Sequence, residues 1–405
     1  MKITNVRTVM AALGAKNCIF VLIETDAGIT GLGETVLKRR SKMIEQGIHA
    51  LGRFLIGKDP TCIEDLWEKM YRDSFWVGGP MATTPLSAVE IALWDILGQS
   101  LGVPIYKLMG GPTRDRVPVY CHCAAGETPE EFAANAVACV QRGYHALKVT
   151  LPLFYGGQRN VKVAGQSGQT EQRPTFGYSG TWGEIDRSLK ETELLPAATF
   201  RRIAAFFADA REAVGPDVHL MVDCHGRLSP ANAIRLCDAL ADYDLLFIEE
   251  PVPPENVEAL KEVSSRSSVP IATGERWSTI YDARRFLGPQ AVAVAQPDVV
   301  NCGGLMQAKK MAALAEAEYI SLAPHNPNGP IATVANVHLA ASIPNFLILE
   351  TIGSEEDKAL QAQVIDPPLR FEDGCLLLPT GPGIGAKPNE EVCKQFPYQS
   401  FEGWR

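Results

Sequence analysis

The sequence predicts an α/β fold in which a closed barrel of eight strand–helix units follows a smaller α+β domain. The chain has 405 residues, which is too long for one ordinary domain and suits a barrel with a second domain. From about residue 117, short apolar segments rich in β-branched residues alternate with helix-patterned segments. This alternation is typical of a TIM barrel. The alternative, a doubly wound open sheet, would need a glycine-rich phosphate-binding turn after an early strand, and the sequence has none.

The N-terminal segment predicts two antiparallel strands followed by helices. Residues 18–24 and 29–34 have strand patterns, and Asp26-Ala27-Gly28 between them has the composition of a turn. Amphipathic helical patterns follow at 40–57, 61–73 and 86–101. Gly110-Gly111-Pro112 then interrupts the helical pattern. We therefore expect an α+β domain over residues 1–115.

The barrel prediction rests on eight strand candidates separated by helical patterns. The strand candidates are 117–121, 146–150, 219–223, 245–249, 271–273, 291–296, 320–323 and 346–349. The helical patterns are at 129–142, 197–213, 230–241, 255–266, 279–287, 304–317 and 331–342. One long, polar, glycine-rich insertion at 151–196 interrupts this order after the second strand. A loop of that length is a lid, a binding loop or a disordered segment, and the sequence leaves these alternatives open.

Composition and charge exclude some classes of partner. The net charge is −9, and no run of lysine and arginine is longer than three residues, which argues against nucleic acid as a partner. No apolar run approaches the length of a membrane span, and the N-terminus has no signal-peptide core, so we expect a cytoplasmic protein without a membrane partner. Ten cysteines are present. In Cys121-His122-Cys123 only the two sulfurs would share a strand face, so buried thiols are expected rather than a metal site.

Polar and ionisable residues follow six successive strand candidates. In a TIM barrel the carboxyl ends of the strands form one mouth, where the active site lies. The residues at these ends are Asp223, Glu249, Glu275, Asp298, His325 and Glu350.

Three of these residues predict a metal site. Asp223, Glu249 and Glu275 are each 26 residues apart in the chain. Three acids on adjacent strands can converge in a partly buried pocket only if a cation compensates their charge. Oxygen ligands select a hard ion, and Mg²⁺ suits a site that must also accept substrate. The even spacing favours Glu249 over its neighbour Glu250 as the ligand, with Glu250 expected to contact a Lys or Arg instead.

Two histidines are candidates for acid–base chemistry. Asp298 ends the strand before the one that His325 ends, so the carboxylate can fix the imidazole tautomer and leave the other nitrogen as a base. His225 lies two residues after Asp223, and in an extended chain it would share the face of that ligand. We interpret it as a second acid–base group. The other five histidines are interpreted as structural or surface residues, namely His49, His122, His145, His219 and His338.

These residues carry a resemblance to the mandelate racemase subgroup of the enolase superfamily. Within it, the chain is most similar to sugar-acid dehydratases of the D-galactonate dehydratase type. The resemblance covers nearly the whole chain apart from 151–196. The matching barrel segments are Val222-Asp223-Cys224-His225-Gly226-Arg227, Phe247-Ile248-Glu249-Glu250-Pro251, Ala272-Thr273-Gly274-Glu275-Arg276, Gln296-Pro297-Asp298, Gly303-Gly304 and Ala323-Pro324-His325. The N-terminal matches are Met1-Lys2-Ile3-Thr4, Gly31-Leu32-Gly33-Glu34 and Ala92-Leu93-Trp94-Asp95-Ile96.

The resemblance implies a domain plan and a cofactor. It implies a (β/α)₇β-type TIM barrel over 116–355, and a capping domain made of residues 1–115 together with the C-terminal segment 356–405. It also implies one Mg²⁺ per subunit, which binds the carboxylate of a small acid-sugar substrate. Family members usually assemble, so a homo-oligomer is expected.

The resemblance further implies a β-elimination. His325 would take the C2 proton of a 2,3-dihydroxy acid, His225 would protonate the departing 3-hydroxyl, and the product would be a 2-keto-3-deoxy acid. The C2 proton is a very weak acid. Mg²⁺ and a cationic donor would stabilise the negative charge that forms when this proton is removed. Glu350 and Lys148 are expected to contact the substrate, and Trp76 is expected to contribute to specificity.

Two departures from the subgroup pattern bear on the reaction. Racemases of the subgroup carry Lys-x-Lys after the second strand, whereas this chain has Lys148-Val149-Thr150, which disfavours two-base racemisation. Mannonate dehydratases use an Arg–Tyr pair in the lengthened loop, and Tyr155 and Arg159 are candidate counterparts. The alternatives are an epimerase or lactone cycloisomerase of the same superfamily, and a non-catalytic binding or regulatory homologue. The sequence does not choose among acid sugars, although a D-galactonate-like substrate is favoured.

Overall fold

The computed structural model describes residues 1–14, 16–73, 75–150, 194–352 and 354–400, together with the backbone of two strands at 158–162 and 170–174. Two compact units are present. The first comprises Met1–Val119, Gly274–Gly288 and Ala295–Phe401, and the second comprises Tyr120–Thr273 and Pro289–Val294. The predicted domain limits at 115 and 355 remain predictions.

The first unit begins with an antiparallel three-stranded sheet, β1 (Ile3–Leu13), β2 (Lys16–Thr25) and β3 (Thr30–Thr35), in that order. The second and third strands confirm the sequence prediction. The first was not predicted, and most of its residues are exposed or half-buried. Four helices follow, namely α1 (Ser41–Leu55), α2 (Ile63–Arg72), α3 (Pro80–Leu101) and α4 (Ile105–Leu108).

Helix α3 starts six residues before its predicted start, because Pro80 occupies its first turn and Pro85 is accommodated inside it. The helix packs closely on β3. A Cβ atom on Gly33 would lie 1.9 Å from the backbone oxygen of Ala88, so only glycine permits this approach. Gly33 in the Gly-Leu-Gly-Glu segment thus sets the distance between strand and helix.

The second unit contains the parallel strands that carry half of the predicted site. β4 (Arg116–Cys123), β5 (Ala146–Thr150), β8 (His219–Asp223), β9 (Leu245–Glu249) and β10 (Ile271–Thr273) pair in parallel in that order. The last four have the predicted bounds. The helices between them are α5 (Pro129–Gln141), α6 (Ala197–Val214), α7 (Pro230–Leu240) and α8 (Val257–Arg266), with a 3₁₀ turn at Ala241–Tyr243.

The predicted insertion at 151–196 falls mostly outside the described residues. Its described backbone is an antiparallel pair, β6 (Gln158–Lys162) and β7 (Thr170–Pro174). Its role as a lid therefore remains a prediction.

The remaining elements continue the alternation with shorter strands. They are α9 (Ile280–Leu287), β11 (Val294–Ala295), α10 (Leu305–Ala317), β12 (Ser321–Leu322), α11 (Pro330–Ser342), β13 (Leu349–Thr351), α12 (Glu355–Val364), β14 (Ile365–Asp366), β15 (Phe371–Glu372), β16 (Cys375–Leu377), β17 (Lys387–Pro388) and α13 (Glu390–Cys393). The strands predicted at 291–296, 320–323 and 346–349 were too long or displaced. An apolar run indicates which residues are buried, but only part of each run forms the hydrogen bonds between paired strands. Among the described helices, none is long and apolar enough to cross a membrane.

Candidate active site

The second unit holds a group of charged side chains that we call the lysine cluster, made of Lys148, Asp223, His225 and Glu249. Asp223 and Glu249 end β8 and β9 and are paired directly across the two strands. Lys148 Nζ lies 2.8 Å from Glu249 Oε2 and 3.6 Å from Asp223 Oδ2. All three of these side chains are almost completely buried. The cluster is therefore held together by ion pairs between side chains that are shielded from bulk water.

Burial makes each member of the lysine cluster dependent on the others. Removing one partner of a buried ion pair leaves an uncompensated charge, which costs about 3–5 kcal/mol. The face of the Tyr120 ring also lies 5.2 Å from Lys148 Nζ, an additional favourable cation–π contact. Lys148 was predicted to contact substrate, and in the structure it contacts the two predicted metal ligands of this unit.

His225 reaches Asp223 by a route that the sequence prediction had wrong. The chain is not extended here, because His225 has a φ of 50°, in the left-handed region. In this tight turn its backbone N–H donates to Asp223 Oδ1 at 2.9 Å. Its ring Nε2 lies 3.2 Å from Asp223 Oδ2. The left-handed turn, not strand alternation, brings the imidazole to the carboxylate.

Glu250 is separated from Glu249 by a second backbone turn. It has a φ of 40°, its carboxylate is buried, and Thr273 Oγ1 donates to its Oε1 at 3.3 Å. Glu249 contacts Lys148 instead. The two adjacent acids thus have different surroundings. The predicted contact of Glu250 with a Lys or Arg remains a prediction.

The first unit holds a second group, the histidine cluster, made of Glu275, Asp298, His325 and Glu350. His325 Nδ1 lies 2.8 Å from Asp298 Oδ2, and Nε2 lies 2.9 Å from Glu275 Oε2. The nearest oxygen of Glu350 is 4.0 Å from Nε2. The predicted pairing of Asp298 with His325 is present, and three carboxylates surround one imidazole.

The surroundings of His325 determine its proton affinity. Burial alone would lower the pKa of the ring, but the negative charges of Glu275, Glu350 and Asp298 outweigh burial and raise that pKa well above its usual value. Asp298 is itself fixed, because the Asn328 side-chain amide donates to both its oxygens at 3.2 and 3.0 Å. The Asn326 backbone N–H donates to Glu350 at 2.7 Å. The carboxylates therefore present a preorganised frame to the ring.

Two lysines of the first unit belong to these surroundings and were missed from the sequence. Lys16 is buried, and its ammonium donates to the backbone oxygens of Pro327 and Asn328, in the segment after His325. Lys38 is half-buried. Burial and the nearby Lys16 lower its pKa to about 8, although Glu275 and Glu350 oppose that change. The only available signal for Lys38 was its position shortly after the Gly-Leu-Gly-Glu segment.

The remaining predicted residues are less informative. Trp76 is 83% exposed, and its ring packs edge-on against Phe75 with 5.3 Å between centroids. Its role in specificity remains a prediction. Tyr155 and the side chain of Arg159 lie outside the described residues.

The donor set fits a hard divalent cation by its chemistry. Asp223, Glu249 and Glu275 offer only carboxylate oxygens, and their side chains are 3%, 0% and 13% exposed. Within the part of the chain that the structure describes, no group of three or more His, Cys, Asp or Glu residues is arranged to hold a metal ion. In this structure the same carboxylates contact Lys148, His225 and His325.

Family comparisons agree with this geometry. The family model described as the enolase C-terminal domain-like family matches residues 131–392, and the mandelate racemase / muconate lactonizing enzyme N-terminal domain matches residues 1–110. The chain belongs to the mandelate racemase subgroup of the enolase superfamily. The predicted fold class, a TIM barrel with an N-terminal capping domain, is thereby confirmed.

Individual relatives indicate a narrower class of enzyme within this subgroup. A D-galactonate dehydratase of Pectobacterium atrosepticum is 34% identical over 398 residues, covering 97% of this chain and 93% of the relative. A D-mannonate dehydratase of Caulobacter vibrioides is 32% identical, with 98% and 96% covered. A solved structure from Pantoea ananatis, an enolase with bound D-gluconate and Mg, has a TM-score of 0.82 at 29% identity and covers 98% of this chain and 95% of its own. The chain is an enzyme of the hydro-lyase class, a sugar-acid dehydratase in general terms.

Proposed function

We propose that this enzyme removes the C2 proton of a 2,3-dihydroxy aldonic or aldaric acid and eliminates the 3-hydroxyl, giving a 2-keto-3-deoxy acid. The observation that carries the proposal is that each of two imidazoles is held by a carboxylate, His325 by Asp298 and His225 by Asp223. Elimination of water needs one group to accept a proton and another to donate one. A two-base racemisation would use a lysine at the position of Thr150.

His325 is the proposed base. The hydrogen bond between its Nδ1–H and Asp298 fixes the ring orientation and tautomer, which leaves Nε2 as the atom that exchanges a proton. Nε2 is in contact with Glu275 in this structure, so the ring must be neutral and released from that carboxylate before it can accept the C2 proton. Asn328 keeps Asp298 in place during this exchange.

His225 is the proposed acid for the departing hydroxyl. Its contact with Asp223 stabilises the protonated ring that this role requires. Lys148 is proposed to balance the negative charge of the substrate carboxylate, and Glu350 to hydrogen-bond the substrate. Because Lys148 is already paired with Glu249, its ammonium is held in a fixed position and loses little freedom when substrate binds.

The proposed ligands of one Mg²⁺ per subunit are Asp223, Glu249 and Glu275. Their even spacing along the chain, their positions after successive strands and the chemistry of their oxygens support this set. When bound, Mg²⁺ supplies positive charge beside the substrate carboxylate, which acidifies the C2 proton.

The substrate is proposed to be D-galactonate or a close relative. The Pectobacterium relative is named a D-galactonate dehydratase, and the Pantoea structure contains gluconate, so six-carbon aldonic acids are the first class to test. We also propose that the subunits form a homo-oligomer. An epimerase or lactone cycloisomerase would use the same proton abstraction, but it would not need an acid for a leaving hydroxyl.

The test is a Mg²⁺-dependent screen of acid sugars with detection of 2-keto-3-deoxy products. We expect turnover of at least one aldonic acid, which chelation of the metal abolishes and Mg²⁺ restores. Recovery of an epimer or a lactone without any keto acid would replace the dehydratase proposal with an isomerase.

The adjacent acids provide a matched pair for the metal assignment. Glu249→Gln should weaken Mg²⁺ binding in calorimetry by at least tenfold, whereas Glu250→Gln should leave the dissociation constant within about threefold. Circular dichroism of both variants checks folding. If Glu250→Gln lost the metal and Glu249→Gln kept it, the ligand assignment would be reversed.

A further inference from the structure

The segment that follows His325 contains no regular secondary structure. Its residues 326–329, which we call the base segment, join the proposed base to α11 and belong to no helix or strand. Asn326 and Asn328 are nevertheless only 1% and 4% exposed. A buried backbone polar group needs a hydrogen-bond partner, which a helix or strand would normally supply. Several partners of the base segment come instead from side chains elsewhere in the chain.

Lys16 provides the first of these partners. It stands at the start of β2 and is 7% exposed. Its ammonium donates to the backbone oxygens of Pro327 and Asn328, the latter at 3.0 Å. A hydrogen bond from a charged donor is roughly twice as strong as one between neutral groups. The backbone at 327–328 is therefore tied to the N-terminal sheet by a buried cation.

Gln361 provides a second partner from the C-terminal part of the chain. Its side-chain amide, on α12, donates to the same backbone oxygen of Asn328 at 3.0 Å, and the residue is 8% exposed. A carbonyl oxygen has two lone pairs, so it can accept from Lys16 and Gln361 at the same time. The Asn328 peptide cannot rotate without losing both donors.

The side chain of Asn328 connects this arrangement to the proposed base. Its Nδ2 donates to Asp298 Oδ1 at 3.2 Å and to Oδ2 at 3.0 Å. The second of these oxygens is the one that lies 2.8 Å from His325 Nδ1. Because Asn328 is held through its backbone oxygen and holds Asp298 through its side chain, a shift of its peptide would be passed on to the imidazole.

We propose that Lys16 and Gln361 are positioning residues for the base, because they fix the Asn328 peptide through which Asp298 and the His325 ring keep their orientation. The inference rests on the proposed role of His325 as the base, and it assigns neither positioning residue a contact with the substrate. A displacement of about 1 Å can cost on the order of 10²-fold in rate, so loss of either donor should lower kcat. KM should change little, because the base acts in the chemical step.

The chain contains a matched lysine that makes the same kind of contact away from the base. Lys309 of α10 donates to the backbone oxygens of Met109 and Ser342, the latter at 2.9 Å. Ser342 is the last residue of α11, whereas the base segment precedes its first residue. Lys309→Met therefore removes a comparable contact at the opposite end of this helix. The second control variant is Gln363→Leu, at an exposed position of α12.

The test measures the surroundings of the imidazole in the folded, full-length enzyme by nuclear magnetic resonance with ¹⁵N-labelled histidine. The Nδ1–H signal of His325 is identified by its loss in His325→Asn. In Lys16→Met and in Gln361→Leu we expect this signal to move upfield or to be lost through exchange with solvent, because its hydrogen bond to Asp298 is weakened. In the two control variants the signal should keep its wild-type position.

Steady-state kinetics on the substrate found in the acid-sugar screen provides a second measurement. Lys16→Met should lower kcat by roughly 10²-fold and Gln361→Leu by roughly tenfold, because the lysine donates to two backbone oxygens and the glutamine to one. KM should stay within about threefold of wild type in both variants. Circular dichroism checks folding, and Gln361→Leu carries the test if Lys16→Met does not fold.

The outcomes that would overturn the proposal are distinct from a failure of the proposed function. An unchanged His325 signal in the folded variants would overturn it, and so would an altered signal with wild-type kcat. An equal change in Lys309→Met would also overturn it, because that would indicate a general loosening of the fold. If no acid sugar were converted, the proposed function would fail, whereas the spectra would still decide whether Lys16 and Gln361 orient the ring.

Discussion

Buried carboxylates occur in two regions of this molecule with different partners. In the N-terminal region Glu34, Glu90 and Asp95 accept hydrogen bonds mainly from backbone N–H groups of distant segments. At the strand ends, carboxylates such as Glu249 and Asp298 contact the side chains of lysine and histidine. All five are at most 2% exposed, so burial does not distinguish the two groups.

Two of the N-terminal carboxylates, Glu34 and Glu90, act as helix caps supplied from elsewhere in the chain. Glu90 accepts from the backbone N–H groups of Leu305 and Met306, in the first turn of α10, at 2.8 and 2.9 Å. Glu34 does the same for Ile331 and Ala332, in the first turn of α11. Helix N-termini present unsatisfied donors and a partial positive charge, so a carboxylate there is well placed.

The difference between the partners separates structural from chemical roles. Backbone amides cannot move away or change protonation, so Glu34 and Glu90 remain in one arrangement. Ammonium and imidazole groups can change partner or proton, so the carboxylates that they contact can also serve a metal or a substrate. A buried carboxylate is therefore a candidate for chemistry when its partner is a side chain.

The largest expected effect comes from His325, on the chemical side of this comparison. His325→Asn should reduce kcat by at least about 10³-fold, because the ring nitrogen that accepts the C2 proton is lost. Asp298→Asn should reduce kcat by a smaller factor, because the imidazole is retained but loses the carboxylate that orients it. Steady-state kinetics on the substrate from the screen provides the measurement.

The control for His325 is Glu90→Gln, which replaces a buried carboxyl group on the structural side. It should leave kcat within about threefold in the folded enzyme. Full turnover in His325→Asn would refute the base assignment, and a large loss of kcat in Glu90→Gln would remove the distinction between the two carboxylate groups.

The next largest expected effect is a loss of stability. Glu90→Ala should lower the free energy of unfolding by about 3–5 kcal/mol, because it leaves the Leu305, Met306 and Trp94 donors without their acceptor. Denaturant titration near pH 6 measures this change. A loss below 1 kcal/mol would mean that water or another group replaces the carboxylate.

The pH dependence of stability should also distinguish Glu90. Burial raises its pKa to about 7, although the backbone N–H groups of Met306 and Leu305 oppose the rise. Between about pH 4.5 and 7 the folded protein holds a proton that the unfolded chain has lost, so stability contributed by this group falls as pH rises. The free energy of unfolding of wild type relative to Glu90→Gln should therefore fall by about 3 kcal/mol at most over that interval. A difference that stays constant from pH 5 to 8 would contradict the raised pKa.

The parallel strands of the fold could be predicted from the sequence. The bounds of β5, β8, β9 and β10 were predicted because each buried run ends at a polar or turn residue, which is a local signal. Strand β1 is exposed or half-buried over most of its length and was missed. Local patterns record burial and turn chemistry, whereas pairing partners depend on the whole fold.

Only part of the candidate site could be predicted from the sequence, for the same reason. The pairing of Asp298 with His325 followed from their positions at neighbouring strand ends. Lys16 and Lys38 come from the N-terminal region, and nothing local indicates that they lie near Asn328 or Glu275.

The smallest expected effect concerns Trp76, whose ring packs edge-on against Phe75. The indole is 83% exposed, so its removal should not change stability measurably. If it covers bound substrate, Trp76→Ala should raise KM about 3–10-fold with kcat unchanged, because only the apolar contact with the bound acid is lost. Met43→Ala, at an exposed position on α1, is the matched control and should leave both constants unchanged. Equal KM values for Trp76→Ala and wild type would contradict a role of Trp76 in specificity. A fall in kcat would mean that the indole positions the reacting atoms as well as binding the substrate.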